Sequence, residues 1–140
     1  MRDVTAKKMA EEETRSYAQR FQTLIEQAAI GVWITDIRDE STIYVNDSVA
    51  QLLGYSPHEM IGVSVLDFVT PKSAELLKEK TRQRLHGEET EDNYELEFYN
   101  RSGEKVSARV SAAAIKDENN NVIETYGFIR DITQDRLREK

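Results

Sequence analysis

The chain has 140 residues, 39% hydrophobic and 32% charged, with a net charge of −7 at neutral pH and no cysteine. That length suits one domain with an appendage, and the absence of thiols excludes disulfides, thiolate metal sites and cysteine nucleophiles. The acidic balance argues against a nucleic-acid backbone or an anionic membrane surface as a partner. The longest apolar run, Ala28–Ile34, is only seven residues, far short of a bilayer span. The charged first residues lack the apolar centre of a signal peptide, so a cytoplasmic location is expected.

Residues 1–27 contain no Gly or Pro and are rich in Ala, Glu, Lys, Arg and Gln, a composition that predicts a helix. Ala10, Thr14, Tyr17, Phe21, Leu24 and Ala28 are spaced 4, 3, 4, 3, 4, the pattern of an a/d seam. The seam fails backward at Lys7 and Asp3 and is too short for an independent coiled coil. The stripe therefore either lies on its own domain or also pairs with a second copy. GVWITDI (31–37) and TIYVN (42–46) read as strands around a polar turn. Asn46 stands where an N-cap should, before the apolar face of Val49, Leu52 and Leu53, and Gly54 ends that short helix. Ser56, Pro57 and Glu59 form a capping box for a second helix, which Gly62 stops. VLDFV (65–69) is a single helical turn. Pro71 opens a helix through Leu85 whose apolar residues are Ala74, Leu76, Leu77 and Leu85. Arg82, Arg84 and His86 sit near its end, where positive charge suits the dipole, and Gly87 closes it.

The last third is β. Tyr94, Leu96 and Phe98 alternate with Glu95 and Glu97, and Val106, Ala108, Val110 and Ala112 with Ser107, Arg109 and Ser111. The first of each set points to a core and the second to water. NRSG (100–103) and DENNN (117–121) are turns, and VIETYGFIRDIT (122–133) is the closing strand. No catalytic constellation emerges: Glu95 and Glu97 read as solvated carboxylates on an outer face, and His58 and His86 lack partners at metal-ligand spacing. Gly-rich phosphate loops are missing. The chain is expected to be neither an enzyme nor a metal binder.

In order and spacing, GVWITD (31–36), IYVN (43–46), LLGYSPHEMIG (52–62) and GFIRDIT (127–133) resemble a PAS domain, across roughly Phe21 to Thr133. The resemblance implies an α+β fold: a five-stranded antiparallel sheet with short helices on one face and an N-terminal amphipathic helix. It divides the chain into that helix (1–23), the domain (24–133) and the start of a C-terminal linker helix (134–140). It implies a signal-transduction module that senses a small ligand or transmits a conformational change to a downstream effector such as a histidine kinase. The alternative is a ligand-free dimerisation scaffold holding effector domains in register.

By the family's arrangement, Trp33 and Thr35 face inward with Gly127 and Ile129. Together with Tyr94, Leu96, Phe98, Ala108, Val110 and Ala112 they outline the candidate ligand pocket. The small alanines leave space that Trp33, Tyr94 and Phe98 fill, so a packed core and a ligand site both stay open. Val32, Ile34, Tyr126 and Phe128 then face outward, an apolar patch that needs a cover. It is the expected docking surface for the Tyr17–Phe21–Leu24 stripe, a second subunit, or both, and a homodimer is expected. Flavin-binding relatives need a reactive cysteine where this chain has VSVLDFV, and amides at the positions that match Phe98, Ala108 and Ile129. Haem-binding relatives use a histidine on the long helix, and His86 reads as a solvated residue at its end. Neither cofactor is expected, which leaves an unidentified small molecule. Asp131 and Thr133 form the implied signal exit: Asp131 would make a salt bridge with Arg130 or another base, and Thr133 would cap a helix beginning QDRLREK.

Overall fold

The computed structural model describes residues 2–133, with side chains from residue 11 onward. Helix α1 (Arg2–Gln27) leads into β1 (Gly31–Asp36) and β2 (Thr42–Val45). Short helices α2 (Asp47–Leu53) and α3 (Pro57–Met60), a 3₁₀ turn (Val65–Phe68) and α4 (Pro71–Leu85) follow, before β3 (Asn93–Tyr99), β4 (Lys105–Lys116) and β5 (Val122–Asp131). The strands form one antiparallel five-stranded sheet in the order β2-β1-β5-β4-β3. This is the expected α+β architecture, with the N-terminal helix present. That helix runs to Gln27, so the expected division at residue 23 falls inside it, because no helix-breaking residue intervenes. Residues 134–140, the expected linker helix, lie outside the described residues.

Local chemistry sets the boundaries. The Asn46 side chain accepts from the Val49 N–H at 3.3 Å, as an N-cap does. It also accepts from the Val32 N–H at 3.0 Å and donates to the Ile30 carbonyl at 3.0 Å. One amide thus ties the start of β1 to the start of α2, a long-range role invisible in the local pattern. Gly54 closes α2 at φ 81°, and the Ser56–Glu59 capping box is complete. At Gly31 the reason for glycine is space: a Cβ there would stand 2.7 Å from Val49 Cγ2. Only a bare backbone lets α2 press onto β1.

The core lies between the inner sheet face and the helices after β2. Val49, Leu53, Met60 and Ala108 are fully buried, and Phe98 is 1% exposed. Trp33 stacks on Phe98 with ring centroids 5.7 Å apart and meets Phe68 edge-on at 5.6 Å. Its indole N–H donates to Thr42 Oγ1 at 3.0 Å, satisfying the one polar atom of the ring. On β4 the alternation holds: Val106, Ala108, Val110 and Ala112 are buried.

Candidate functional site

Helix α4 crosses the inner sheet face and is tied at both ends. Near its start, the Thr70 N–H donates to the Glu97 carbonyl at 2.9 Å, and the Glu97 N–H donates to Ser73 Oγ at 2.9 Å. Further along, Thr81 Oγ1 donates to Glu40 Oε1 at 2.6 Å, reaching the turn between β1 and β2. Glu40 holds a left-handed backbone, φ 58°, and its carbonyl accepts from the Val65 N–H at 2.9 Å. Between these ties Ser73, Leu77, Lys80 and Arg84 form the buried stripe of α4. Leu85, one of the apolar residues of this helix, is 57% exposed, and Arg84, read as a cation near the helix end that suits the dipole, is 9% exposed. The helix is rotated so that its polar last turns, not its last leucine, meet the sheet.

Beneath α4 lies a cavity of about 50 Å³. Seven of the nine expected pocket residues line it: Trp33, Thr35, Tyr94, Leu96, Phe98, Ala112 and Ile129. Ala108 and Val110 do not; they are buried in the packed part of the sheet nearer its middle, at 0% and 4% exposure. Glu40, Thr81 and Arg84 complete a polar end that the sequence reading missed. A signal was present: continuing from Leu77 by three, four and seven residues lands on Lys80, Thr81 and Arg84, polar residues at core-facing positions.

The polar end is electrostatically tense. Burial pushes the Glu40 carboxyl above the ordinary glutamate value, opposed by the Thr81 hydroxyl and by the charges of Lys78 and Arg84. Burial likewise pushes the Tyr94 hydroxyl up, with Arg84 pulling the other way. Lys80 Nζ stands 5.2 Å from the centre of the Tyr94 ring. Arg84 Nη2 is buried with no hydrogen-bond partner. Among the described residues no group of three or more His, Cys, Asp or Glu side chains is placed to hold a metal.

The outer sheet face differs. Val32, Ile34, Tyr126 and Phe128 are half-buried there. Phe21 of α1 meets Phe128 edge-on at 6.5 Å, and Tyr126 meets Phe128 at 5.6 Å. Yet Tyr17, Phe21 and Leu24 remain 66%, 56% and 64% exposed, and the α1 side chain that enters the domain is Ile25, at 8%. The a/d spacing pointed to Leu24 and passed over its neighbour, because packing against a sheet at one end of a helix does not follow the heptad. Further along the same face, Glu95 and Glu97 pair across the strand with Arg109 at 3.2 Å and Lys105 at 4.0 Å.

At the end of β5, Asp131 Oδ1 accepts the Thr133 N–H at 2.8 Å. This is a local turn, and the further bases that could serve as the implied partner, Arg136, Arg138 and Lys140, lie outside the described residues. Thr133 Oγ1 accepts from the Ser107 N–H at 3.1 Å, and the Ile132 N–H donates to the Ser107 carbonyl at 2.9 Å. Asp131 therefore caps the exit, and Thr133 fastens it to β4.

A family model described as the PAS domain matches residues 29–134. The chain is a PAS domain. It is 30% identical over 112 residues to the bacterioopsin transcriptional activator of Halobacterium salinarum, a match that covers 79% of this chain and 16% of that protein. The PAS domain of an HTR-like protein from Haloarcula marismortui has the same fold, with a TM-score of 0.67 at 22% identity over 89% of this chain and 99% of that one. A light-oxygen-voltage domain studied with a flavin analogue gives a TM-score of 0.66 at 22% identity, over 84% of this chain and 87% of that one. PAS domains are sensor and interaction modules of signalling proteins, and this PAS domain is a regulatory module of that kind. No helix among its described residues is long and apolar enough to cross a membrane.

Proposed function

We propose that this PAS domain is a homodimeric relay: the inner cavity takes a small molecule, α1 and the outer sheet face pair with a second copy, and Asp131 and Thr133 pass the change to an effector. The observation that carries the reading is the 56–66% exposure of Tyr17, Phe21 and Leu24 on α1. Each square ångström of such surface left in water forfeits roughly 25 cal/mol. A second copy is the occupant that suits it, because a 4–3 spacing is that of a helix seam meeting its like, and a twofold axis makes one stripe complementary to itself. The small fraction that this chain spans of the activator, 16%, supports an effector elsewhere in a longer protein. In this reading any enzymatic activity belongs to that effector, and the module works in the cytoplasm.

The cavity's size speaks to the ligand. About 50 Å³ stands against roughly 300–1,000 Å³ for sites that enclose drug-sized ligands or cofactors, which supports an occupant smaller than flavin or haem. Phe98, Ala108 and Ile129, all buried and apolar, offer a flavin ring no side-chain hydrogen bond. A second reading, the ligand-free scaffold, draws support from the Trp33–Phe98 stack that already fills much of the space. Native mass spectrometry of the purified chain, with an absorbance spectrum from the same sample, separates them. The relay expects a dimer with small added mass per subunit. A bare dimer favours the scaffold, and a bare monomer at micromolar concentration overturns the homodimer.

A further inference from the structure

We infer that the inner cavity takes a small neutral carbonyl compound, of acetone to butanone size, whose oxygen accepts a hydrogen bond from Arg84 Nη2. This rests on the cavity being a ligand site and specifies what that site recognises.

The charged side chains of the lining are Glu40 and Arg84. The Arg84 charge acts on the Glu40 carboxyl and on the Tyr94 hydroxyl, so the lining is balanced and asks its occupant for no charge. An ion of either sign would stand there without a counter-charge, which is costly. What the lining lacks is a hydrogen bond. Arg84 is 9% exposed, and its Nη2 is buried with no partner. A guanidinium only donates, so an acceptor completes it, and a buried donor left without one bears its full desolvation cost. A carbonyl oxygen accepts and brings no proton that needs a partner of its own. A hydroxyl or a primary amide brings at least one.

The shape selects further. Trp33, Phe98, Ala112 and Ile129 give the cavity a buried apolar wall, which suits methyl or ethyl groups on the carbonyl carbon. Water alone would serve Nη2 but gain nothing from that wall; a carbonyl with short alkyl arms serves both. At roughly 10–15 Å³ per water-sized group, the 50 Å³ of space accommodates about three to five non-hydrogen atoms, the range of acetone and butanone.

The purified, isotope-labelled chain is followed by nuclear magnetic resonance during titration with acetone, butanone, 2-butanol and sodium propionate, at ionic strength held constant with sodium chloride. A separate sample is placed under xenon, which enters apolar cavities without needing a hydrogen bond. The reporters are the Arg84 side-chain N–H signals and the Ala112 methyl. The expected result is a saturable shift of both with the two ketones at about millimolar concentration, the scale open to ligands of so few atoms. Propionate and 2-butanol, which match butanone in size, should bind about tenfold more weakly or worse. Arg84→Met should weaken butanone binding by about tenfold or more, the scale of a lost hydrogen bond to a charged group, and leave the xenon response in place. Should that variant unfold, Ala112→Val keeps the guanidinium and narrows the apolar wall, and it should weaken butanone binding more than acetone binding. A response to propionate equal to that to butanone overturns the neutral occupant, and an equal response to 2-butanol overturns the carbonyl. Undiminished binding in folded Arg84→Met overturns the bond to Nη2, and in Ala112→Val it overturns the location. Xenon shifts with silence toward both ketones overturn the carbonyl compound and keep the cavity as a ligand site. Silence toward xenon as well overturns both this inference and the site on which it rests.

Discussion

Strands β1 and β5 carry apolar side chains on both faces, yet the two faces have different fates. On the inner face Trp33 and Ile129 are 3% and 4% exposed, beneath helices tied to the sheet at several points. On the outer face Val32, Ile34, Tyr126 and Phe128 stay half-buried, although α1 lies beside them. The covers differ, not the strands. Helix α4 is fastened through Thr70 and Ser73 to Glu97 and through Thr81 to Glu40. Helix α1 is held near its exit, by Ile25 and by the Ala28–Ile30 turn, whose Ile30 N–H donates to the Ile25 carbonyl at 3.1 Å. A face covered by a helix pinned at two places becomes core; one whose covering helix is buried, among the described residues, at Ile25 keeps its apolar side chains half exposed.

The sharpest test of the inner face is Phe98→Ala. Phe98 is 1% exposed and stacked on Trp33, so its loss should cost about 3–5 kcal/mol, read as a large drop in the urea unfolding midpoint. A loss near zero would mean that the inner face is not the core. For the outer face, Ile25→Glu and Phe21→Glu form a matched pair. Ile25→Glu buries a charge where only 8% of the side chain is exposed and should cost about 2–3 kcal/mol or more. Phe21→Glu should leave the unfolding free energy of the isolated fold within about 0.5 kcal/mol while shifting light scattering toward monomer. Equal stability losses in both would erase the distinction between the helix's anchor and its free stripe.

Two smaller effects refine the picture. The raised pKa of Glu40 means that the folded chain holds this proton more tightly than the unfolded one. Its contribution to stability is therefore full below the ordinary glutamate value and is lost as pH rises through the folded value. Glu40→Gln should flatten that part of the stability profile, measured by urea melts across the acidic range; an unchanged slope would show that the polar end is wetter than its burial suggests. Ala29 holds φ 55° at the joint between α1 and β1, a conformation that disfavours any Cβ. Ala29→Gly should relieve this strain and raise stability by at most about 1 kcal/mol, part of the gain being offset by the freer unfolded chain.

Much of this was written locally. Caps at Asn46 and Ser56, turns at Asn100 and Asp117, and the alternation along β3 and β4 all depend on neighbours within four residues, which sequence displays directly. The antiparallel meander follows from two consecutive hairpins, and seven of the nine pocket residues from an alternation completed by the family's strand order. What stayed hidden needed a rotation or a distance. Arg84 looked like a helix-end cation until the ties at Thr70, Ser73 and Thr81 turned α4 and drove its guanidinium inward. Asn46 looked like a cap alone until β1 arrived beside it, 14 residues away in sequence. Asp131 looked like one half of a salt bridge, and its turn to Thr133 showed only in the fold. By itself the sequence determined the elements, their order and which strand faces are apolar, because periodicity and capping are short-range. Only the tertiary structure decided which helix seals which face, and so which charges are trapped beneath α4 and which apolar groups α1 leaves uncovered, because that choice rests on contacts between residues far apart in the chain.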